Sequence, residues 1–352
     1  MMRKGKIGWG VIGAGGIADR KTIPGMLEAP NAELVALMSM PDSDTDALAE
    51  KYGVKGYHAE QELLADRDVD AVYLATPVYL HHTQAIMAAE AGKHLLIEKP
   101  LAIGVSEAQA IIDACRKAGV KACEGYMMRF HTLNLKAKEM VAAGLIGNVV
   151  MGRAQLSCWY PDMPGAWRQD PKLGGGGTLM DLASHCYDLL DMIIGPIQSV
   201  SALVNTQTFQ YAVEDSSTTL LQFASGAHGI ADCFFNVPDG SALSRLELYG
   251  NKGSILLEGT IGQAPGGRMI AYLSDEAKDY DPMQNSASLD VEKREITVAP
   301  KNMYTSEIAY LSDCILSDTK PQINGLEHGL GILKTVMAAY ESGRTGSNVN
   351  VT

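Results

Sequence analysis

The segment Gly13-Ala14-Gly15-Gly16-Ile17-Ala18 restricts the fold of this chain more than any other. It has the pattern G-x-G-x-x-A, follows the apolar run Ile7–Ile12 and opens a helical pattern over Ile17–Leu27. In a strand–turn–helix context each small residue has a task. Gly13 permits the tight turn, Gly15 lets main chain approach a pyrophosphate, and Ala18 lets the helix pack on the strand. The pyrophosphate then lies at a helix N-terminus, where free N–H groups and the helix dipole favour anions. Gly13, Gly15, Gly16 and Ile17 are therefore expected to contact a dinucleotide.

The following residues keep the same rhythm. Leu34–Ser39, Ala71–Ala75, His94–Ile97 and Val120–Cys123 have the composition of strands; helical patterns span Ser43–Tyr52, Leu80–Ala91 and Ser106–Ala118. Strands alternating with helices imply right-handed crossovers and a doubly wound parallel sheet, an N-terminal Rossmann domain over residues 1–125. After a helix near Thr132–Ala143 the pattern changes. Val149–Trp159, Gln198–Phe209, Ser216–Ala224, His228–Asn236, Arg245–Tyr249, Ser254–Glu258 and Met269–Ser274 read as strands, mostly joined by turns. Such runs imply an antiparallel sheet, so residues 126–352 read as a second α/β domain, which also carries helices at Thr178–Ile194, Tyr304–Leu316 and Gly325–Tyr340. The polar stretch Asp275–Asp290 reads as a surface loop.

Charge and cysteine content exclude several functions. The chain has 29 Lys+Arg against 41 Asp+Glu, a net charge of −12, and no basic run longer than two residues. Nucleic-acid binding needs clustered cations, so DNA and RNA are not expected partners. The longest stretch without Asp, Glu, Lys or Arg, Ala71–Ala89, contains Pro77, His81, His82 and Gln84, so no membrane span is expected. Met1–Lys6 is basic, but Ile7–Gly16 is no apolar signal core, and the expected location is the cytoplasm. None of the six cysteines forms a C-x-x-C pair; they read as scattered buried thiols, and no metal site is expected.

Three further motifs carry chemistry. A ribose-reading acid is expected at the end of the second strand, about 20 residues beyond the glycines. It is absent: Leu34–Met38 runs into Ser39-Met40-Pro41, and Asp42, Asp44 and Asp46 follow with no Arg or Lys before Lys51. Asp42 suits the cap of the next helix. A 2′-phosphate would bring about two more negative charges into this acidic loop, which favours NAD over NADP, whereas Ser39 pulls the other way. Glu98-Lys99-Pro100 directly follows a strand, and ligands bind beyond the carboxyl ends of such strands. Finally, Gly174–Gly177 precedes a helix in which Leu179, Leu182, Cys186, Leu189 and Ile193 share one face. Asp181, His185 and Asp188 lie on its flank, with Asp181 and His185 one turn apart.

Together these pieces resemble the glucose–fructose oxidoreductase / inositol dehydrogenase / rhizopine-catabolism (Gfo/Idh/MocA) family of sugar and polyol oxidoreductases. The resemblance rests on the Gly13–Ala18 turn, Thr76-Pro77 with His81, and Ala91-Gly92-Lys93-His94 leading to Glu98-Lys99-Pro100. It continues through Arg129, Trp167-Arg168, the glycine run, Asp181 with His185, and Ala338-Ala339-Tyr340-Glu341-Ser342-Gly343. It implies a Rossmann domain followed by an α/β domain with an open, mostly antiparallel sheet that pairs copies into homodimers or homotetramers. It also implies that Lys99, Asp181 and His185 occupy catalytic positions, and that NAD or NADP is the cofactor, near Ser39, Thr76, Pro77, His81 and Glu98. One departure concerns Ser39: many NAD-dependent members have Asp there, and some NADP-dependent members have Ser with a nearby Arg.

The expected reaction is hydride transfer between nicotinamide C4 and a secondary alcohol or ketone of a sugar, cyclitol or related polyol. His185 has an unperturbed pKa near 6.5, suited to proton exchange at neutral pH, and Lys99 can polarise the same oxygen. Asp181 would accept a substrate hydroxyl or orient its neighbours. The residues leave open whether Lys99 or His185 is the final acid/base. Arg129, Trp167, Arg168, Tyr126 and Tyr160 are further candidates for substrate contact. Two alternatives compete: a member that holds its nucleotide tightly and uses transient oxidation, for example to assist glycoside cleavage, and a non-catalytic nucleotide-binding protein.

Overall fold

A computed structural model describes residues 5–40, 44–274, 283 and 291–352. Pro41, Asp42 and the loop expected at Asp275–Asp290, apart from Met283, lie outside the described residues. In chain order the strands are β1 (Ile7–Ile12), β2 (Ala32–Met38), β3 (Lys55–Gly56), β4 (Ala71–Leu74), β5 (His94–Ile97), β6 (Ala122–Glu124), β7 (Val149–Ser157), β8 (Ile197–Asn205), β9 (Ser216–Phe223), β10 (His228–Phe234), β11 (Arg245–Gly250), β12 (Gly253–Glu258), β13 (Arg268–Leu273), β14 (Glu292–Ile296) and β15 (Val349–Asn350). The α-helices are α1 (Ile23–Glu28), α2 (Thr45–Tyr52), α3 (Glu60–Ala65), α4 (His81–Glu90), α5 (Val105–Ala118), α6 (Thr132–Ala142), α7 (Pro171–Gly174), α8 (Ser184–Ile194), α9 (Met303–Leu316) and α10 (Leu326–Thr345). Contacts group the chain into two units. The first comprises Met1–Phe130, Pro164–Met180 and Lys301–Lys334; the second comprises His131–Met163, Asp181–Pro300 and Thr335–Thr352. Where the sequence suggests one cut at 125/126, the chain re-enters the first unit twice.

The first unit is built on a six-stranded parallel sheet in the order β3-β2-β1-β4-β5-β6. Strand order reverses between β1 and β4, and in open α/β sheets this switch point is where ligands bind. Every residue of β1 is buried, as covering both faces of a parallel sheet requires. Part of that cover comes from α9, which begins at Met303, far beyond the last strand of the sheet, β6, ending at Glu124. Ile308, Leu311, Cys314 and Ile315 join the core around Ile7, Trp9 and Leu34, and Trp9 Nε1 donates to Ser312 Oγ at 3.0 Å. Gly25 allows this contact: a Cβ there would stand 2.8 Å from Tyr304 Cβ.

Two local departures have simple causes. The helix expected over Ile17–Leu27 starts with π winding at Ala18–Thr22 and becomes α-helical only from Ile23, where Pro24 lacks a donor N–H. The elements β3 and α3 have too few apolar residues to show a period; of α3 only Leu63 and Leu64 are buried.

The second unit is built on a nine-stranded sheet in the order β14-β13-β12-β11-β7-β10-β9-β8-β15. All its pairs are antiparallel except β7 with β10. That exception arises because β7 enters the middle of the sheet and α8 then carries the chain to β8. The edge strand β14, Glu-Lys-Arg-Glu-Ile, is almost wholly exposed, and its charges blunt a row of unpaired main-chain groups. Its lack of apolar residues explains why no strand is expected there. No helix among the described residues is long and apolar enough to cross a membrane.

Helix α8 runs against β7 in the opposite direction. At Gly152, early in β7, a Cβ would meet Ile194 Cδ1 at 2.4 Å and Leu190 Cδ2 at 3.0 Å, so the start of the strand faces the end of the helix. The flank expected to be polar is also covered, with His185 6% and Asp188 1% exposed. The expected 100° spacing does not extend back to Asp181, because Leu179–Ala183 is wound as a π-helix.

Candidate active site

The carboxyl edge of the parallel sheet collects most of the residues singled out in the sequence. Gly13 ends β1 with φ +89°, its N–H donating to the Met38 carbonyl at 2.9 Å. A Cβ on Gly13 would lie 2.8 Å from the Ala75 carbonyl carbon and the Thr76 nitrogen, so this turn closes on the end of β4 only with glycine. The second left-handed position is Gly16, at φ +55°. Gly15 accepts from the Ala18 N–H at 3.1 Å, and Ala18 is fully buried against the strand. Ile17 remains partly accessible at the head of the helix.

Ser39 follows β2 and is buried, with its N–H donating to Thr45 Oγ1 at 3.1 Å. Its hydroxyl has no hydrogen-bond partner among the described residues. The cap of α2 is Asp44, whose carboxylate accepts from Ala47 N–H at 3.0 Å, and Asp46 pairs with His58. Lys51 is held by Asp19 at 2.6 Å. That carboxylate also accepts from the Tyr52 hydroxyl, and these donors outweigh the effect of burial to hold Asp19 below the usual carboxylate range. The first cation after the acidic loop is thus already engaged.

Thr76 and Pro77 follow β4, while Glu98 and Lys99 follow β5, with a cis peptide between Lys99 and Pro100. His81 joins the two turns. It is 1% exposed, its Nε2 lies 2.9 Å from the Thr76 carbonyl, and its Nδ1 lies 3.0 Å from the Pro100 carbonyl. Burial lowers its pKa from 6.5, and the carbonyls oppose that shift only in part. The imidazole is thereby taken up by main chain. Beside Lys99, the Glu98 carboxylate accepts from the hydroxyl of Tyr73, which itself accepts from Thr22 at 3.0 Å. Burial raises the Glu98 pKa, against the lowering effects of Tyr73, Lys99 and Arg168.

Arg168 is therefore within electrostatic reach of Glu98, and its guanidinium lies 4.2 Å from the Trp167 ring centroid. After β6, Gly125 N–H donates to the Ile97 carbonyl at 2.7 Å, bringing the next residues alongside Glu98. Tyr126 is 1% exposed and packs edge-on against His328. Arg129 is also buried and bonds His328. In the second unit, His185 is buried at the first turn of α8, Asp181 is half-buried in the preceding π turn, and Tyr160 packs on Phe235 with ring centroids 5.0 Å apart. Sequence reasoning did not find Tyr73, which lies inside a strand and reads as core.

A glycine turn closing on β4, a helix head behind it and a bare hydroxyl beyond β2 suit a dinucleotide laid across the switch point. The fold and this edge define the class: an oxidoreductase with an NAD(P)-binding Rossmann domain. Residues 7–126 match the oxidoreductase family NAD-binding Rossmann fold, and residues 134–256 match the GFO/IDH/MocA C-terminal domain. The chain belongs to the Gfo/Idh/MocA family. It is 28% identical to 1,5-anhydro-D-fructose reductase of Ensifer adhaerens, over 97% of this chain and 98% of that protein. It is 29% identical to D-xylose 1-dehydrogenase (NADP(+)) 2 of Haloferax volcanii, over 97% and 99% respectively. The crystal structure of aldose-aldose oxidoreductase from Caulobacter crescentus, complexed with glycerol, superposes with a TM-score of 0.86 at 31% identity, covering 98% of this chain and 99% of that one.

Proposed function

We propose that the protein transfers a hydride between nicotinamide and a secondary alcohol or ketone of a sugar, cyclitol or related polyol. The observation that carries this reading is the placement of the Gly13 turn and Lys99 on one edge of one parallel sheet, beside its switch point. The similarity to a sugar reductase and a sugar dehydrogenase supports the substrate class. Gly13, Gly15, Gly16, Ile17, Ser39, Thr76 and Pro77 would hold the nucleotide, which when bound supplies the hydride acceptor or donor.

The protein's own groups manage charge and the proton. The Lys99 ammonium polarises the substrate oxygen, and His185 exchanges the hydroxyl proton, a task matched to an imidazole at neutral pH. Asp181 accepts a neighbouring hydroxyl, while Arg168 and Trp167 offer a fork and a ring face. Tyr126, Arg129 and Tyr160 are candidates for the substrate wall. Glu98 and His81 set the turns that carry Lys99.

Residues 1–125 then supply the nucleotide domain, and residues 126–352 supply substrate contact and pair copies into a homodimer or homotetramer in the cytoplasm. Leu203 and Leu220, 76% and 58% exposed on adjacent strands β8 and β9, support an interface on that sheet. Lys99→Ala and His185→Ala should each lower kcat by about 10²–10⁴-fold, the range of general acid–base catalysis. The readout is nicotinamide absorbance with a polyol panel, and near wild-type rates from both folded variants would sink the mechanism.

A further inference from the structure

We propose that Gln84 and Glu60 are positioning residues for the nucleotide. Acting through Thr76, they fix the turn after β4 and so the width of the switch point across which a dinucleotide lies. The proposal rests on nucleotide binding at this edge and adds two residues that no motif contains.

The three side chains form one run of hydrogen bonds. Thr76 Oγ1 donates to Gln84 Oε1 at 2.5 Å, and Gln84 Nε2 donates to Glu60 Oε1 at 2.5 Å. Thr76 is 4% exposed and Gln84 3%, while Glu60 is partly exposed at the first position of α3. Burying a Gln amide is unfavourable unless its groups are paired, and here each end of the amide has a partner.

The polarity of the run follows from Glu60. A carboxylate accepts and does not donate, so the Gln84 amide nitrogen must face it and the amide oxygen must face Thr76. The Thr76 hydroxyl then gives its only proton to Gln84. It has none left for a pyrophosphate oxygen, which also only accepts. Thr76 therefore belongs to the frame of the site, and its side chain is not a phosphate donor.

That frame spans the point where strand order reverses. Helix α3 lies against β1, since a Cβ on Gly10 would stand 2.9 Å from Leu63 Cδ2. Helix α4 follows β4, and its Gln84 reaches back to Thr76 at the strand's end. The Glu60–Gln84 bond thus ties the β1 side of the switch point to the β4 side. Thr76 is also where the glycine turn closes: its nitrogen lies 2.8 Å from the place a Gly13 Cβ would take, and its carbonyl faces His81 Nε2 at 2.9 Å. Loosening the bond releases the main chain against which the glycine turn rests.

The test titrates NADH fluorescence and measures competition by AMP in wild type, Gln84→Leu, Glu60→Gln and Glu60→Lys. Gln84→Leu should weaken NADH about tenfold, as loss of a hydrogen bond to a charged group does. AMP should stay within about twofold, because a dinucleotide spans both halves of the sheet and a mononucleotide needs only one. A general loosening of the domain would weaken both alike. Glu60→Gln can still accept from Gln84 through its amide oxygen and should keep NADH affinity within about twofold of wild type. Glu60→Lys can only donate, so it should reproduce the loss of about tenfold. Because position 60 is partly exposed, the two Glu60 variants decide the matter if Gln84→Leu fails to fold. Unchanged NADH affinity in Gln84→Leu and Glu60→Lys, a fall shared equally by AMP, or an equal fall in Glu60→Gln overturns the proposal. Wild type that binds neither NADH nor NADPH would sink the nucleotide reading itself, whereas wild-type binding with unaltered variants would remove only the roles of Gln84 and Glu60.

Discussion

The Tyr73 hydroxyl donates to the Glu98 carboxylate, one residue before Lys99, and takes its own hydrogen bond from Thr22. A mid-strand residue thus connects the helix behind the glycine turn to the turn that carries the lysine. Tyr73→Phe would leave the carboxylate and the Thr22 hydroxyl without this partner. The expected loss is about 1–3 kcal/mol, read as a lower urea midpoint at constant slope. An unchanged midpoint would show that water replaces the phenol.

Glu98 also sets a pH dependence. Its pKa is raised from 4.5 in the folded protein, chiefly by burial. The folded state then binds more protons than the unfolded state between 4.5 and the raised value, so stability falls as pH rises through that window. Glu98→Gln should flatten this limb. Thermal melts across the acid range compare the two slopes, and identical slopes would remove Glu98 as the cause.

His81 should act with the opposite sign. Its folded pKa lies below 6.5, so its contribution is present above that pH and is lost as pH falls towards the folded value. Because its nitrogens face the Thr76 and Pro100 carbonyls, His81→Ala should also disturb Lys99. The expected result is a kcat loss of about tenfold or more with nucleotide affinity changed less, since misplacing a reacting group by about 1 Å is costly. Equal losses in both would indicate general unfolding of the edge.

Gly13→Ala puts a side chain at φ +89° and a Cβ 2.8 Å from two main-chain atoms of the β4 turn. Strain alone should cost about 1–3 kcal/mol, with the clash added. Titration of NADH fluorescence should show affinity falling by about tenfold or more, because the turn must open. Retained affinity would mean that the turn adapts without harm.

Cofactor preference should follow the acidic loop and the engaged lysine. Lys51 is tied to Asp19, so Lys51→Ala is expected to change the KM for NADP by less than about twofold, and wild type should favour NAD. Ser39→Asp should abolish NADP use while keeping NAD use, since an acid there accepts from the ribose hydroxyl and repels a 2′-phosphate. A wild-type KM clearly lower for NADP would overturn the loop argument.

Several features of this edge were legible because local rules are strong. Gly13 had to be glycine for any tight strand-to-helix turn, and Glu98-Lys99 had to fall beyond a strand because Leu95–Ile97 is continuously apolar. His185 stood out as a candidate for proton exchange by its residue type. The packing of Phe209 against Trp159 was not legible, because about fifty residues separate them in sequence and no period joins them.

The alternating α/β start, the glycine turn and the antiparallel second half could be read from the order of residues alone. Each is a short-range pattern set by side-chain period and main-chain freedom. The cover that α9 gives the first sheet, the parallel pairing of β7 with β10, and the bond between Tyr73 and Glu98 emerge only in the folded chain. These pairings depend on which apolar faces and buried polar groups remain to be satisfied once the local elements exist. That is settled by packing across the fold, and no local pattern encodes it.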